Sequence, residues 1–157
     1  MTKQVYRIEA NGKGIYCRHD GFSFNELNRY TNKMAIEHTW DNLRPDGGND
    51  GLEFAVGNRD CKFACPSLEL LQQWFEGHLE NLLKFKGVKV WEIEAEEIVL
   101  GESGLQCVFR KEIRRQEINV FTGEYTRTAE EASEKSRGKR LSALSEKVIA
   151  SISGSYR

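Results

Sequence analysis

The chain has 157 residues, enough for one domain with a buried core, and its 39% hydrophobic and 30% charged content marks a globular protein. A net charge of −1 excludes a whole-molecule field that would draw it to nucleic acid or an anionic membrane. No apolar run reaches the roughly 18 residues of a bilayer span, and the opening Met1-Thr2-Lys3-Gln4-Val5-Tyr6 has no apolar signal-peptide core, so the expected location is the cytoplasm.

Residues 4–10 alternate Val5, Arg7 and Glu9 against Tyr6, Ile8 and Ala10, the pattern of a half-buried strand. Asn11-Gly12 is a hairpin cue, and residues 15–17 read as a short returning strand. Ser23 with Glu26 forms a capping box, and Leu27, Tyr30, Met34 and His38 follow at helical spacing as a packing stripe. Residues 41–51 carry Pro45, Gly47, Gly48 and Gly51 and read as a loop, long enough to serve as a lid or a contact segment. Residues 52–56 and 62–65 read as two short strands joined through Gly57-Asn58.

Pro66 suits a first helical turn, and Leu68, Leu71, Trp74 and Phe75 give that helix one apolar face before Gly77. A second short helix carries Leu79, Leu82 and Leu83 and closes at Gly87. Strands follow at 88–94, 98–100 and 105–110, with a turn at 101–104. Residues 111–125 fit helix or strand equally well. A second capping box, Thr128 with Glu131, precedes a stripe of Leu141, Leu144, Val148 and Ile152 at helical spacing. The expected organisation is an α+β core over residues 1–110 and a charged, mainly helical C-terminal extension over 111–157.

Cys17, Cys61, Cys65 and Cys107 read as reduced thiols packed as small hydrophobes. Cys61 and Cys65 with His19 and His38 are an alternative zinc set, but paired knuckles at the usual spacing are missing, so no metal is expected. Two basic clusters, at 110–115 and 135–140, are interleaved with glutamates, which disfavours nucleic acid as the partner.

Three segments in this order carry a resemblance. Val5-Tyr6-Arg7 with its following glycine turn resembles the first motif of the ADP-ribosyltransferase family. Phe63-Ala64-Cys65-Pro66-Ser67, running into a helix, is similar to the second. Gln106-Cys107-Val108-Phe109 stands where that family has a glutamate followed by apolar strand residues. The resemblance implies small mixed or antiparallel sheets with flanking helices, and a cleft for NAD or an ADP-ribose derivative. Arg7 would hold phosphate through its planar fork, Ser67 would orient the ribose, and Gln106 would bond its 2′-hydroxyl, with Tyr6, Tyr16 and Phe63 as aromatic walls.

Gln106 brings no negative charge to a cationic transition state, so binding is expected ahead of transfer chemistry. The residues also have plainer readings: Arg7 as an ordinary strand residue, Ser67 as a helix cap, Gln106 as a solvent-facing side chain.

Residues 5–109 are also similar to small uncharacterised phage and prophage proteins. That implies an accessory protein that binds a host or phage protein, modifies or counteracts a host factor, or inhibits a host defence system without catalysis. Under this reading the C-terminal stripe serves partner binding or a homodimer.

Overall fold

A computed structural model describes residues 2–37 and 50–126. The chain divides into two compact units, Met1–Tyr125 and Thr126–Arg157, and the fold below is that of the first. His38, the 41–49 loop, the second capping box and the C-terminal stripe lie outside the described residues.

The elements in order are β1 (Lys3–Ala10), β2 (Lys13–Gly14), a 3-10 turn (Phe22–Phe24), α1 (Asn25–Glu37), a second 3-10 turn (Glu53–Ala55), β3 (Lys62–Ala64), α2 (Leu68–Trp74), α3 (Leu79–Leu83), β4 (Val88–Leu100) and β5 (Cys107–Ile118). The strands form one sheet in the order β2-β1-β4-β5-β3, and every pairing is antiparallel. Just past β3 the chain returns to β1. The Tyr6 amide donates to the Cys65 carbonyl at 2.9 Å and the Cys65 amide donates to the Tyr6 carbonyl at 2.8 Å. The sheet therefore curls into a nearly closed barrel.

This architecture overturns the expected ADP-ribosyltransferase-like α+β fold. Among the described residues the fold is mostly one antiparallel sheet closing on itself, with few helices, rather than small sheets flanked by helices. The motifs behind that expectation were a cation on a strand, a serine before a helix and a carboxamide on a strand. Such a trio is compatible with many antiparallel folds.

Strand alternation sorts the core into two layers. One face of the sheet points into the barrel and buries Val5, Ile93, Ala95, Cys107, Phe109 and Ala64, with Trp91 and Ile98 half-buried beside them. The other face, including Ile8, Ala10, Val88, Val90, Ile118 and Val120, is covered by helices that contribute Leu27, Met34, Leu71, Phe75 and Leu82. The stripes read from α1 and α2 thus find their partner in the outer face of the sheet.

Local expectations shift for identifiable reasons. Residues 15–17 form a turn after the two-residue β2, with the Cys17 amide bonded to the Gly14 carbonyl. Residues 52–56 hold a 3-10 turn rather than a strand. Leu52 and Ala55, three apart, bury together on Val108, while Phe54 and Val56 stay exposed. Three-residue periodicity is the signature of that turn. The two strands expected at 88–94 and 98–100 are one, β4, carried through a bulge between Glu94 and Ile98. At the bulge Glu97 (φ 49°) and Lys111 (φ 51°) both take left-handed backbone and pair at 2.9 Å. The undecided stretch after Lys111 continues β5 to Ile118.

Further along the same face of the sheet lies a polar cluster. Glu9, only 1% exposed, bonds Arg7 Nε through Oε2 at 3.2 Å and Arg115 Nη1 through Oε1 at 2.5 Å. Arg115 also bonds Glu112 at 2.7 Å and stacks over Trp91 at 5.1 Å. Burial alone would raise the Glu9 carboxyl. The Arg115 hydrogen bond and the charges of Arg7 and Arg115 outweigh it and hold the group below its ordinary value of 4.5.

Two measurements check this account. Phe109→Ala removes a ring that is 1% exposed in the barrel interior, and is expected to cost about 3–5 kcal/mol in chemical denaturation. Val99→Ala, 46% exposed on the neighbouring strand, should stay within about 0.5 kcal/mol. Equal effects would contradict the interior placement of Phe109. For Glu9, a depressed folded value means that its stabilisation is complete above about pH 4.5 and is lost as pH falls through the folded value. Glu9→Gln is expected to cost on the order of 2–3 kcal/mol at neutral pH, below a fully buried pair because Arg115 keeps contact with water. The variant should also have a shallower acid limb, and an unchanged limb would refute the assignment.

Candidate functional site

A cavity of about 750 Å³ opens where the chain beyond β3 crosses onto β1. β1 contributes Tyr6 and Arg7 from opposite faces of the strand, and the crossing segment contributes Phe63 and Cys65. The turn after β2 brings Tyr16, and α2 supplies Leu71, Trp74 and Phe75 from the other side. Residues 55–58 form a further wall.

The aromatic walls are held in place. Trp74 Nε1 donates to the Tyr16 hydroxyl at 3.1 Å, and the Tyr16 ring stacks on Phe75 at 5.9 Å with 23° between planes. Burial pushes the Tyr16 phenol up, so it stays protonated at neutral pH. The Tyr6 hydroxyl donates to Glu92 at 3.0 Å, and Tyr125 donates to the same carboxylate at 2.9 Å. Burial first, and then this Glu92 bond, raise Tyr6 to about 12.

Arg7 lies flat in the cavity wall. Its Nη1 donates to the Phe63 carbonyl at 2.5 Å and its Nε faces Glu9. The guanidinium packs so closely on Gly14 that a Cβ there would sit 2.7 Å from Nη2. Glycine at that end of β2 leaves room for the fork to reach across to Phe63.

Gln106 also lines the cavity, from a buried position at the mouth of β5. Its Nε2 donates to Asp50 Oδ2 at 3.0 Å. Asp50 is buried and further accepts from the Ser103 amide at 2.6 Å and the Ser103 hydroxyl at 2.9 Å. The same carboxylate lies across Gly101, where any Cβ would collide with it. Gln106 is therefore held by a buried carboxylate that ties the turn after β4 to the chain entering the second 3-10 turn.

Of the six residues singled out from sequence, Arg7, Tyr6, Tyr16, Phe63 and Gln106 line this one cavity. Ser67 is elsewhere: it is the N-cap of α2, and its hydroxyl accepts from the Leu70 amide at 3.2 Å. Trp74, Phe75 and Lys62 were missed. The first two read as the buried face of an amphipathic helix, a pattern that does not distinguish a core wall from a cavity wall. Lys62 carried no signal.

Among the described residues, the charged groups lining the cavity are Arg7 and Lys62, both cationic, and no carboxylate or histidine joins them. Three thiols, Cys17, Cys61 and Cys65, also face it. Burial drives Cys65 up, and drives Cys107 behind it to about 12, so neither is a thiolate nucleophile at neutral pH. Among the described residues no cluster of three or more His, Cys, Asp or Glu is placed to hold a metal ion. No described helix is long and apolar enough to cross a membrane. The described lining thus combines aromatic and apolar walls with two cationic side chains.

Comparison with curated proteins and with solved structures gave no match. A family model described as bacteriophage T4 Y00F protein matches residues 1–122. That match spans β1 to the end of β5 and includes every cavity-lining residue, and the chain belongs to this phage protein family.

Proposed function

We propose that this phage protein is a binding module whose cavity takes a nucleotide-class ligand, NAD or an ADP-ribose derivative, without a covalent step. The observation that carries the reading is the character of the cavity. Its walls are aromatic and apolar, and its only charged groups among the described residues are Arg7 and Lys62. A planar base fits against Tyr16 and Trp74, where stacking contributes about 1–3 kcal/mol. A phosphate fits the side holding the Arg7 guanidinium, through the N–H groups left over from its bonds to Phe63 and Glu9. The absence of a lining carboxylate among the described residues suits an anion and leaves nothing to stabilise a cationic sugar, which is why the proposal stops at binding.

A second reading, docking of a host or phage protein as a non-enzymatic inhibitor, is favoured by one feature. Val56 lines the cavity and is 53% exposed, and Phe54 two residues before it is also exposed. Such a rim suits an apolar side chain of a partner.

Calorimetric titration with NAD and with ADP-ribose decides between them. Heat is expected from the wild-type chain with at least one nucleotide. Arg7→Lys, which keeps the charge and loses the fork, should weaken that binding by about 10-fold or more. Ser67→Ala should leave affinity unchanged while costing about 1 kcal/mol of stability through the lost cap. No heat with either nucleotide would sink the nucleotide reading.

A further inference from the structure

The cavity wall formed by residues 15–17 is fastened to the rest of the molecule at two points. Tyr16 is one, through Trp74 and Phe75. His19 is the other. Its backbone is clamped from α1: the His19 amide donates to Asn28 Oδ1 at 3.0 Å, and Asn28 Nδ2 donates to the His19 carbonyl at 2.8 Å. Its ring is 4% exposed, lies 5.8 Å from the Phe24 ring, and hydrogen-bonds the backbone of Ile15. That last bond ties the imidazole directly to the cavity wall, because Ile15 lines the cavity.

The ring has one defect. Its Nε2 is buried and has no hydrogen-bond partner. In the neutral imidazole this is an unpaired acceptor, a modest cost. A proton on that nitrogen turns it into a charged donor with nothing to receive it, a much larger cost. Among the described residues the charges bearing on the ring are Lys13 and Asp20, which belong to the same end of the chain and lie 4.0 Å from each other. From α1 the uncharged Asn28 carboxamide holds the His19 backbone, and from the 3-10 turn the Phe24 ring lies against the imidazole.

We infer that His19 is an acid-sensitive latch on the cavity: uptake of a solvent proton at Nε2 expels the ring into water and frees residues 15–17 to open. The inference builds on the cavity being the binding site and adds its regulation. Gly14 before the segment and Gly21 after it (φ +113°) bracket the part that moves.

The sign follows from burial. Desolvation holds His19 below its ordinary value of 6.5, so the unfolded or opened form binds the proton more readily. The latch is fully closed above that value and weakens as pH falls below it, by up to about 10-fold in the opening equilibrium for each pH unit. This window lies above the one in which Glu9 is lost, so the two acid effects separate.

Hydrogen exchange read by mass spectrometry, corrected for the intrinsic pH dependence of exchange, tests the latch with no ligand present. Between about pH 7.5 and pH 5.5, opening of the segment around residues 15–17 is expected to rise by up to about 10-fold, while the β4–β5 amides stay protected. His19→Leu should abolish the rise, and Asn28→Ala should raise exchange at both pH values. Proton NMR of the wild-type imidazole is a check that needs no variant: His19 should titrate below its ordinary value together with the shift of the wall amides. Equal exchange at both pH values, or a ring that titrates without moving the wall, overturns the latch. A chain that opens in acid yet takes up no NAD or ADP-ribose keeps the latch and loses the nucleotide reading.

Discussion

Two backbone hydrogen bonds between Tyr6 and Cys65 decide what this molecule becomes. Without them the strands would form an open antiparallel sheet, with the edge of β1 away from β4 unpaired near Tyr6 and β3 a three-residue strand at the far edge. With them, β3 swings back to β1 and the sheet nearly closes, which removes an edge that would otherwise invite strand pairing. Closure also fixes the site. The crossing carries Phe63 to within reach of Arg7 and starts α2 beside β1, so its aromatic end faces the turn that holds Tyr16. The cavity is a by-product of how the barrel closes.

Closure leaves a problem of shape that side chains solve. The inward face is small and apolar around Ala64, Ala95, Cys107 and Phe109, but the same face of β1 continues into Arg7 and Glu9. A lone buried carboxylate there would be costly. Glu9 is instead met by two guanidinium groups, and Arg115 is in turn braced by Glu112 and Trp91. The network keeps Arg7 in one orientation, with its fork across Phe63. A side chain that would otherwise sample many rotamers is thereby preorganised, and preorganisation lowers the entropic cost of meeting a ligand. The same residue is part of the fold's electrostatics and part of the candidate site, and the two roles cannot be separated by deleting it.

Much of this was legible from residue order, and the failures share a cause. Alternation in β1 and the leucine stripes of α2 and α3 are local patterns, and the structure keeps them. The turn at 52–56 was misread because Leu52 and Ala55 look like any short apolar run until Val108 supplies the surface that they share. The bulge that joins two expected strands into β4 depends on Glu97 and Lys111 taking left-handed backbone opposite each other, which neither residue type advertises. The fold class failed for a related reason: closure rests on backbone bonds between Tyr6 and Cys65, and those carry no side-chain signature. The convergence of Arg7, Tyr6, Tyr16, Phe63 and Gln106 on one cavity arose without the fold that first suggested them, whereas Ser67 serves as a helix cap.

The proposed function stops at binding because of what the described lining holds. General acid–base catalysis needs a group that exchanges a proton near neutral pH and reaches the ligand. The described lining supplies two phenols and the buried Cys65 thiol, all shifted upward, the Cys17 and Cys61 thiols, and the cationic Arg7 and Lys62. Gln106, in the position that suggested a reaction centre, is bonded to a buried Asp50 that anchors a turn. His19 stands behind the wall rather than in it, bonded to the backbone of Ile15. In the proposed latch, titration there would change how firmly the wall is held rather than move a proton to or from a bound molecule.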